Sequence, residues 1–170
     1  MISQILAAAI GTVAFSLLFS VPKIYYPYCG FIGGVGWVIY CSLIPIVSPA
    51  EATFFATVGV ILLSRLFAVW ERCPVTLFLI PGIFPLVPGA GVYWTSYYIV
   101  TGELSQASVT GFEAVKVAVA IVLGIVLIFE LPQGVFTAIA KMAPLAWKNR
   151  RNARVKMPFI HKKKNQEELP

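Results

Sequence analysis

The chain has 170 residues, 59% of them hydrophobic and only 12% charged, with a mean hydropathy of +0.85 and a formal net charge of +6. A soluble domain of this size cannot bury so much apolar surface, so the composition excludes an ordinary water-soluble globule and points to a polytopic membrane protein. The excess positive charge gathers in residues 141–164, a stretch without a single acidic residue.

Five apolar stretches are long enough to cross a bilayer, for which a helix needs about 20 residues. They are residues 2–21, 30–47, 52–70, 75–100 and 112–131. The first lacks a basic leader and a small-residue cleavage site, so it reads as a retained span and not as a secretory signal. Spans one and two carry small residues four apart, Ala7 with Gly11, Ser16 with Ser20 and Gly30 with Gly34, and Gly33 and Gly36 widen that smooth face. Such spacing lets helices approach closely in lipid and points to helix packing more than to ligand binding. Arg65, five residues before Trp70 in the third span, either binds a substrate carboxylate or snorkels to the nearer interface.

The fourth stretch raises the sharpest question. Within "LIPGIFPLVPGAGVYW", residues 79–94, stand Pro81, Pro85 and Pro88 together with Gly82, Gly89 and Gly91. Irregular backbone cannot face lipid, so a span broken here has to be shielded by protein or line a wet cavity. The expected first half-helix runs from Val75 to Ile80 and stops at Pro81-Gly82; the second starts between Gly89 and Gly91. Half-helix N-termini offer free amides and partial positive charge to anions. Pro81, Gly82 and Pro88 thus shape a candidate substrate site, with the amides of Gly89, Ala90 and Gly91 as carboxylate donors and Thr76, Thr95 and Ser96 as hydroxyl partners. A merely kinked structural helix without a ligand is the competing reading.

A polar linker, residues 101–111, suits an external loop. Glu113 and Lys116 follow on one helix face and read as an outer-mouth ion pair, with a substrate exit gate as the lesser reading. Glu130 closes the apolar part of the fifth span at about the depth of Arg65; it is the candidate for proton coupling or for an ion pair with Arg65, against the plainer reading of an interfacial carboxylate. Beyond Pro132 a kinked or interfacial helix leads into the basic tail. A polybasic run after a membrane helix marks the cytoplasmic side and touches anionic lipid; nucleic-acid binding is set aside. With the tail inside, five spans put the N-terminus outside. The division is a transmembrane domain, 1–140, and a basic cytoplasmic tail, 141–170. Tyr25, Tyr26 and Tyr28, with Trp70 and Trp94, are expected in interfacial belts at helix ends. Cys29, Cys41 and Cys73 lack metal-ligand or disulfide spacing and read as small buried hydrophobes. No paired acids, His cluster or activated nucleophile stands within reach of one another, so neither an enzyme nor a cofactor is indicated.

Residues 64–104, "SRLFAVWERCPVTLFLIPGIFPLVPGAGVYWTSYYIVTGEL", resemble the threonine/serine exporter family, in particular its small membrane-subunit type, and "CPVTLFLIPGIFPLVPGAGVYW" carries most of the likeness. The resemblance implies an all-α protein of the bacterial inner membrane. It implies export of threonine, serine or a small dicarboxylate, driven by the proton-motive force, with a larger partner subunit whose membrane half is similar. Self-association is compatible with it. The alternative is a scaffold subunit that completes or anchors a larger transporter.

Overall fold

The computed structural model describes residues 2–132, and these are helical throughout, joined by short turns and without a strand. The basic tail and the expected continuation past Pro132 lie outside the described residues. Helix α1 covers Ile2–Leu18, and a 3-10 turn at Lys23–Tyr25 leads into α2, Tyr26–Leu43. Pro27 sits in the first turn of α2, where its missing amide hydrogen is no loss. Helix α3, Pro49–Glu71, opens with a reciprocal capping box: the Ser48 hydroxyl accepts from the Glu51 amide, and the Glu51 carboxylate accepts from the Ser48 amide. It closes on Arg72, whose φ of 54° places a non-glycine residue in the left-handed region. Helix α4, Thr76–Ile83, continues as a 3-10 turn, Phe84–Leu86; α5 is Gly89–Val100 and α6 is Leu104–Phe129.

Several expected boundaries move. The presumed polar loop shrinks to Thr101, Gly102 and Glu103, because Leu104 already starts α6; Gly102, at φ 82°, supplies the left-handed residue that lets so short a turn reverse the chain. The first half of the broken span does not stop at Pro81-Gly82. It runs on to Ile83, three residues past Ile80, and through one 3-10 turn further, because Pro81 stays within the helix and gives up only one backbone bond. By length and composition, α3 and α6 are long and apolar enough to cross a membrane, and α4 with α5, bent by 48°, make a third crossing if they act as one. The protein is therefore an all-helical membrane protein with two or three candidate spans among the described residues.

The core forms where α2, α3 and α4 meet, around the fully buried Ile32, Val60 and Phe78. Glycine decides how close these helices come. A Cβ on Gly33 would sit 1.9 Å from Thr12 Oγ1 on α1, and one on Gly36 would lie 2.5 Å from Val60 on α3. Gly30 and Gly34 likewise face Val13 and Ala9 across the α1–α2 seam, as the small-residue spacing foretells; Gly11, by contrast, faces open space. Tyr25 and Tyr28 turn their rings onto Phe78 inside the bundle, and the Tyr28 hydroxyl donates to Glu71 Oε1 at 3.0 Å, tying the start of α2 to the end of α3. Trp70 lies near the end of α3, whereas Trp94 lies in the middle of α5 and marks no helix end.

Candidate functional site

The residues singled out in the sequence separate into two groups at opposite ends of α4. One group surrounds the joint between α4 and α5. Pro85 and Pro88 each lack a donor; Val87 is extended (ψ 132°), and Pro88, at ψ 52°, stands at the N-cap of α5 without side-chain help. The Gly89 amide donates to Val87 O at 2.7 Å and the Val92 amide to Pro88 O at 3.1 Å. Between them, the amides of Ala90 and Gly91 have no backbone acceptor among the described residues, and Gly89 and Ala90 are exposed. On the next turns, the Thr95 hydroxyl donates to Gly91 O at 2.7 Å and the Ser96 hydroxyl to Val92 O at 2.9 Å. Each therefore keeps lone pairs to accept from a ligand.

Pro81 and Gly82 stand apart from that joint, buried in the core. A Cβ on Gly82 would meet Ile32 at 2.9 Å and Val60 at 3.2 Å, so this glycine serves the approach of α4 to α2 and α3. Thr76 is exposed at the far end of α4, a whole helix away from Thr95 and Ser96.

The second group lies beside Thr76. A cavity of about 560 Å³ opens where α3, α4 and α6 converge, lined by Arg65, Cys73, Pro74, Val75, Phe129 and Glu130 among others. Arg65 is 8% exposed. Its Nη1 donates to Ile128 O and, at 3.0 Å, to Leu131 O, and its guanidinium carbon stands 5.5 Å from the centre of the Phe129 ring. The cation thus closes the carbonyl end of α6, where the helix dipole favours positive charge. Glu130 is exposed on the rim of the same cavity, and no ion pair joins it to Arg65 among the described residues. Cys73, in the turn between α3 and α4, has its thiol pushed up to about 11, first by burial and then by the neighbouring Glu71 carboxylate.

Sequence reasoning singled out Arg65, Glu130 and the proline-glycine joint, and the structure places the first two on one cavity and the joint apart from it. That reasoning did not find that Arg65 grips carbonyls of α6, since a backbone acceptor 63 positions away leaves no mark on the sequence. It also missed Thr57, whose hydroxyl is buried on α3 against Gly124 of α6 with no hydrogen-bond partner among the described residues. The anticipated Glu113–Lys116 pair is formed, at side-chain exposures of 48% and 43%. Among the described residues no group of three His, Cys, Asp or Glu side chains could hold a metal ion.

A family model described as threonine/serine exporter, ThrE, matches residues 4–130. The chain belongs to the threonine/serine exporter family. No curated protein and no solved structure matches it. In this threonine/serine exporter-family chain the match takes in the α4–α5 joint and ends at Glu130, on the rim of the Arg65 cavity. Membership in a family of exporters makes the protein a membrane transport component and points away from catalysis.

Proposed function

We propose that this chain is the membrane subunit of a proton-coupled secondary exporter for small amino acids such as threonine and serine, or for small dicarboxylates, acting with a larger partner subunit in the bacterial inner membrane. The family match over residues 4–130 carries the reading. In it, α1, α2, α3, the bent α4–α5 pair and α6 are five crossings, with the N-terminus outside and the basic tail inside against anionic lipid.

The two residue groups take different parts. The cavity at Arg65 receives solute from the cytoplasmic side, where the guanidinium attracts a carboxylate and Glu130, reachable by water on the rim, loads the proton. At the α4–α5 joint the Ala90 and Gly91 amides hold the carboxylate, and the Thr95 and Ser96 oxygens accept from an ammonium or hydroxyl group. Efflux of labelled threonine, serine and succinate from cells expressing this chain, with and without the larger subunit, tests the reading. Glu130→Gln is expected to abolish the dependence of efflux on the proton gradient. Efflux of none of the three solutes under either condition overturns it.

One observation favours the scaffold alternative. Helix α5 packs against α6 and makes no comparable contact with another described helix, so the described residues alone do not wall in the joint. Full efflux by the larger subunit alone would establish that alternative.

A further inference from the structure

Among the described residues, four buried hydroxyls follow one habit. Thr12, Ser16, Thr53 and Ser64 each donate to the carbonyl four residues earlier, at 2.7–2.8 Å. Thr57 does not. It is fully buried on α3, and its hydroxyl has no partner among the described residues. Its Cβ and methyl fill the notch that Gly124 leaves on α6, in a rotamer that makes no bond to the Thr53 carbonyl. An unpaired hydroxyl is costly in any interior, and more so inside a bilayer, where no water repairs the loss.

Its place in the fold gives that cost a meaning. Thr57 lies eight residues along α3 from Arg65, about 12 Å toward the α4–α5 joint. Gly124, against which it packs, lies ten residues along α6 from Ala114, about 15 Å, and Ala114 packs on Gly91 at the joint. The hydroxyl therefore stands about midway between the two groups of candidate residues. One layer of side chains separates it from the cavity: Ile61 of α3, Leu79 of α4 and Ile128 of α6, all buried and packed in one cluster. Each is four residues nearer the joint than a residue of the cavity wall, Arg65, Val75 and Pro132 respectively. We propose that Thr57 contacts the solute midway between the Arg65 cavity and the joint, and that Ile61, Leu79 and Ile128 form the gate that closes this route here. The inference rests on the reading of cavity and joint as solute sites. Once the layer parts, the hydroxyl donates to a carboxylate or accepts from an ammonium or hydroxyl group, which a purely apolar solute does not offer. A partner that arrives only with the solute favours the open, loaded state over the closed one.

The test reconstitutes the full chain in phosphatidylethanolamine–phosphatidylglycerol vesicles, with and without the larger subunit. Thr57→Val keeps the shape and removes the hydroxyl. Its unfolding midpoint is expected to equal or exceed that of wild type, because no bond is lost. Its efflux of threonine and serine is expected to fall about fivefold, the worth of one hydrogen bond. Thr57→Ser is expected to restore efflux. A second arm reads the gate. Thr57→Cys, with Cys41 and Cys73 replaced by alanine and the fully buried Cys29 kept, is treated with 2-aminoethyl methanethiosulfonate, and the same chain without Thr57→Cys is the blank. Labelling is expected to be slow, and about tenfold faster once Ile61→Ala or Leu79→Ala thins the layer. Val60→Ala, at an equally buried site in the neighbouring core cluster, controls for general loosening and is expected to leave labelling slow. A lower midpoint in Thr57→Val overturns the inference, as does labelling that ignores the gate variants or follows Val60→Ala as well. Efflux by wild type that Thr57→Val matches sinks this inference alone. A wild type that exports neither solute sinks the solute reading, and labelling then decides the gate by itself.

Discussion

Cys29 Sγ lies 3.6 Å from Leu77 O, the carbonyl that would take a helical bond from residue 81 were that residue not proline. The thiol on α2 thus answers, weakly, for the donor missing from α4. Removing a partner from a buried carbonyl costs about 1–3 kcal/mol, and a thiol bond belongs at the low end. Cys29→Ala is expected to destabilise the protein by about 1 kcal/mol in detergent unfolding. The same change made in a Pro81→Ala background, where the amide is restored, is expected to do less damage. Equal losses in both backgrounds would sever the link between the two residues.

The two glycines Gly33 and Gly11 should respond in opposite directions to alanine. At Gly33 the added methyl would overlap Thr12, and overpacking of this kind costs about 1–3 kcal/mol. At Gly11 the methyl meets nothing, and the helix gains up to about 1 kcal/mol in propensity. Thermal unfolding of the purified variants reads both, with Gly33→Ala falling and Gly11→Ala level or rising.

Arg65 anchors the last turn of α6 to α3 through two carbonyls. Hydrogen bonds from a charged donor contribute about 1.5–3 kcal/mol each, so Arg65→Met is expected to lower stability by about 2 kcal/mol or more. Arg65→Lys retains the charge but offers a point donor in place of a planar fork, and should recover only part of the loss. Hydrogen exchange of residues 126–131 should rise in Arg65→Met and much less in the outer half of α6. Uniform acceleration would mean that the residue acts on the fold as a whole.

The thiol of Cys73 reacts as its thiolate, and its pKa is pushed up to about 11. Below that value the thiolate fraction, and with it the maleimide labelling rate, should climb about tenfold per pH unit, still rising at pH 9 to 10 where an ordinary thiol near 8.5 has levelled off. Because the shift favours the neutral form, it costs nothing at neutral pH and weakens the folded state only at a pH above that of an ordinary thiol. Glu71→Gln should move the curve down. A labelling profile that levels near pH 9 would contradict the burial of this group.

Arg72 closes α3 with left-handed backbone, where a side chain is strained by about 1 kcal/mol relative to glycine. Arg72→Gly should raise the unfolding midpoint by a few degrees. A drop would show that the arginine side chain makes good its own strain.

Membrane class, helical character and the broken character of the fourth stretch were legible because each depends on local composition, whereas of the five expected spans the described residues show two or three candidates. The second half-helix starts at Gly89 as expected, but the end of the first was misplaced because proline at 81 only removes a bond, whereas Val87 and Pro88 leave helical dihedrals altogether. The polar segment 101–111 read as a loop because its hydroxyls look solvated. In the fold Ser108 bonds to Leu104 O and Ser105 O within α6, and Gly111 seats Thr95, which a reading of polarity cannot show. Arg65 and Glu130 were placed at one depth by helical rise and do line one cavity, but the acceptors of Arg65 are backbone atoms of a distant helix, invisible to any pattern of side chains.

The 48° bend between α4 and α5 has a mechanical corollary. Helix α5 is a stiff lever of about 18 Å, and a change of ten degrees at its pivot swings the far tip by about 3 Å, close to the width of a water molecule. Pro85 and Pro88 lack the amide donors that would resist rotation at that pivot, so resistance to such a swing falls to the packing of α5 along α6.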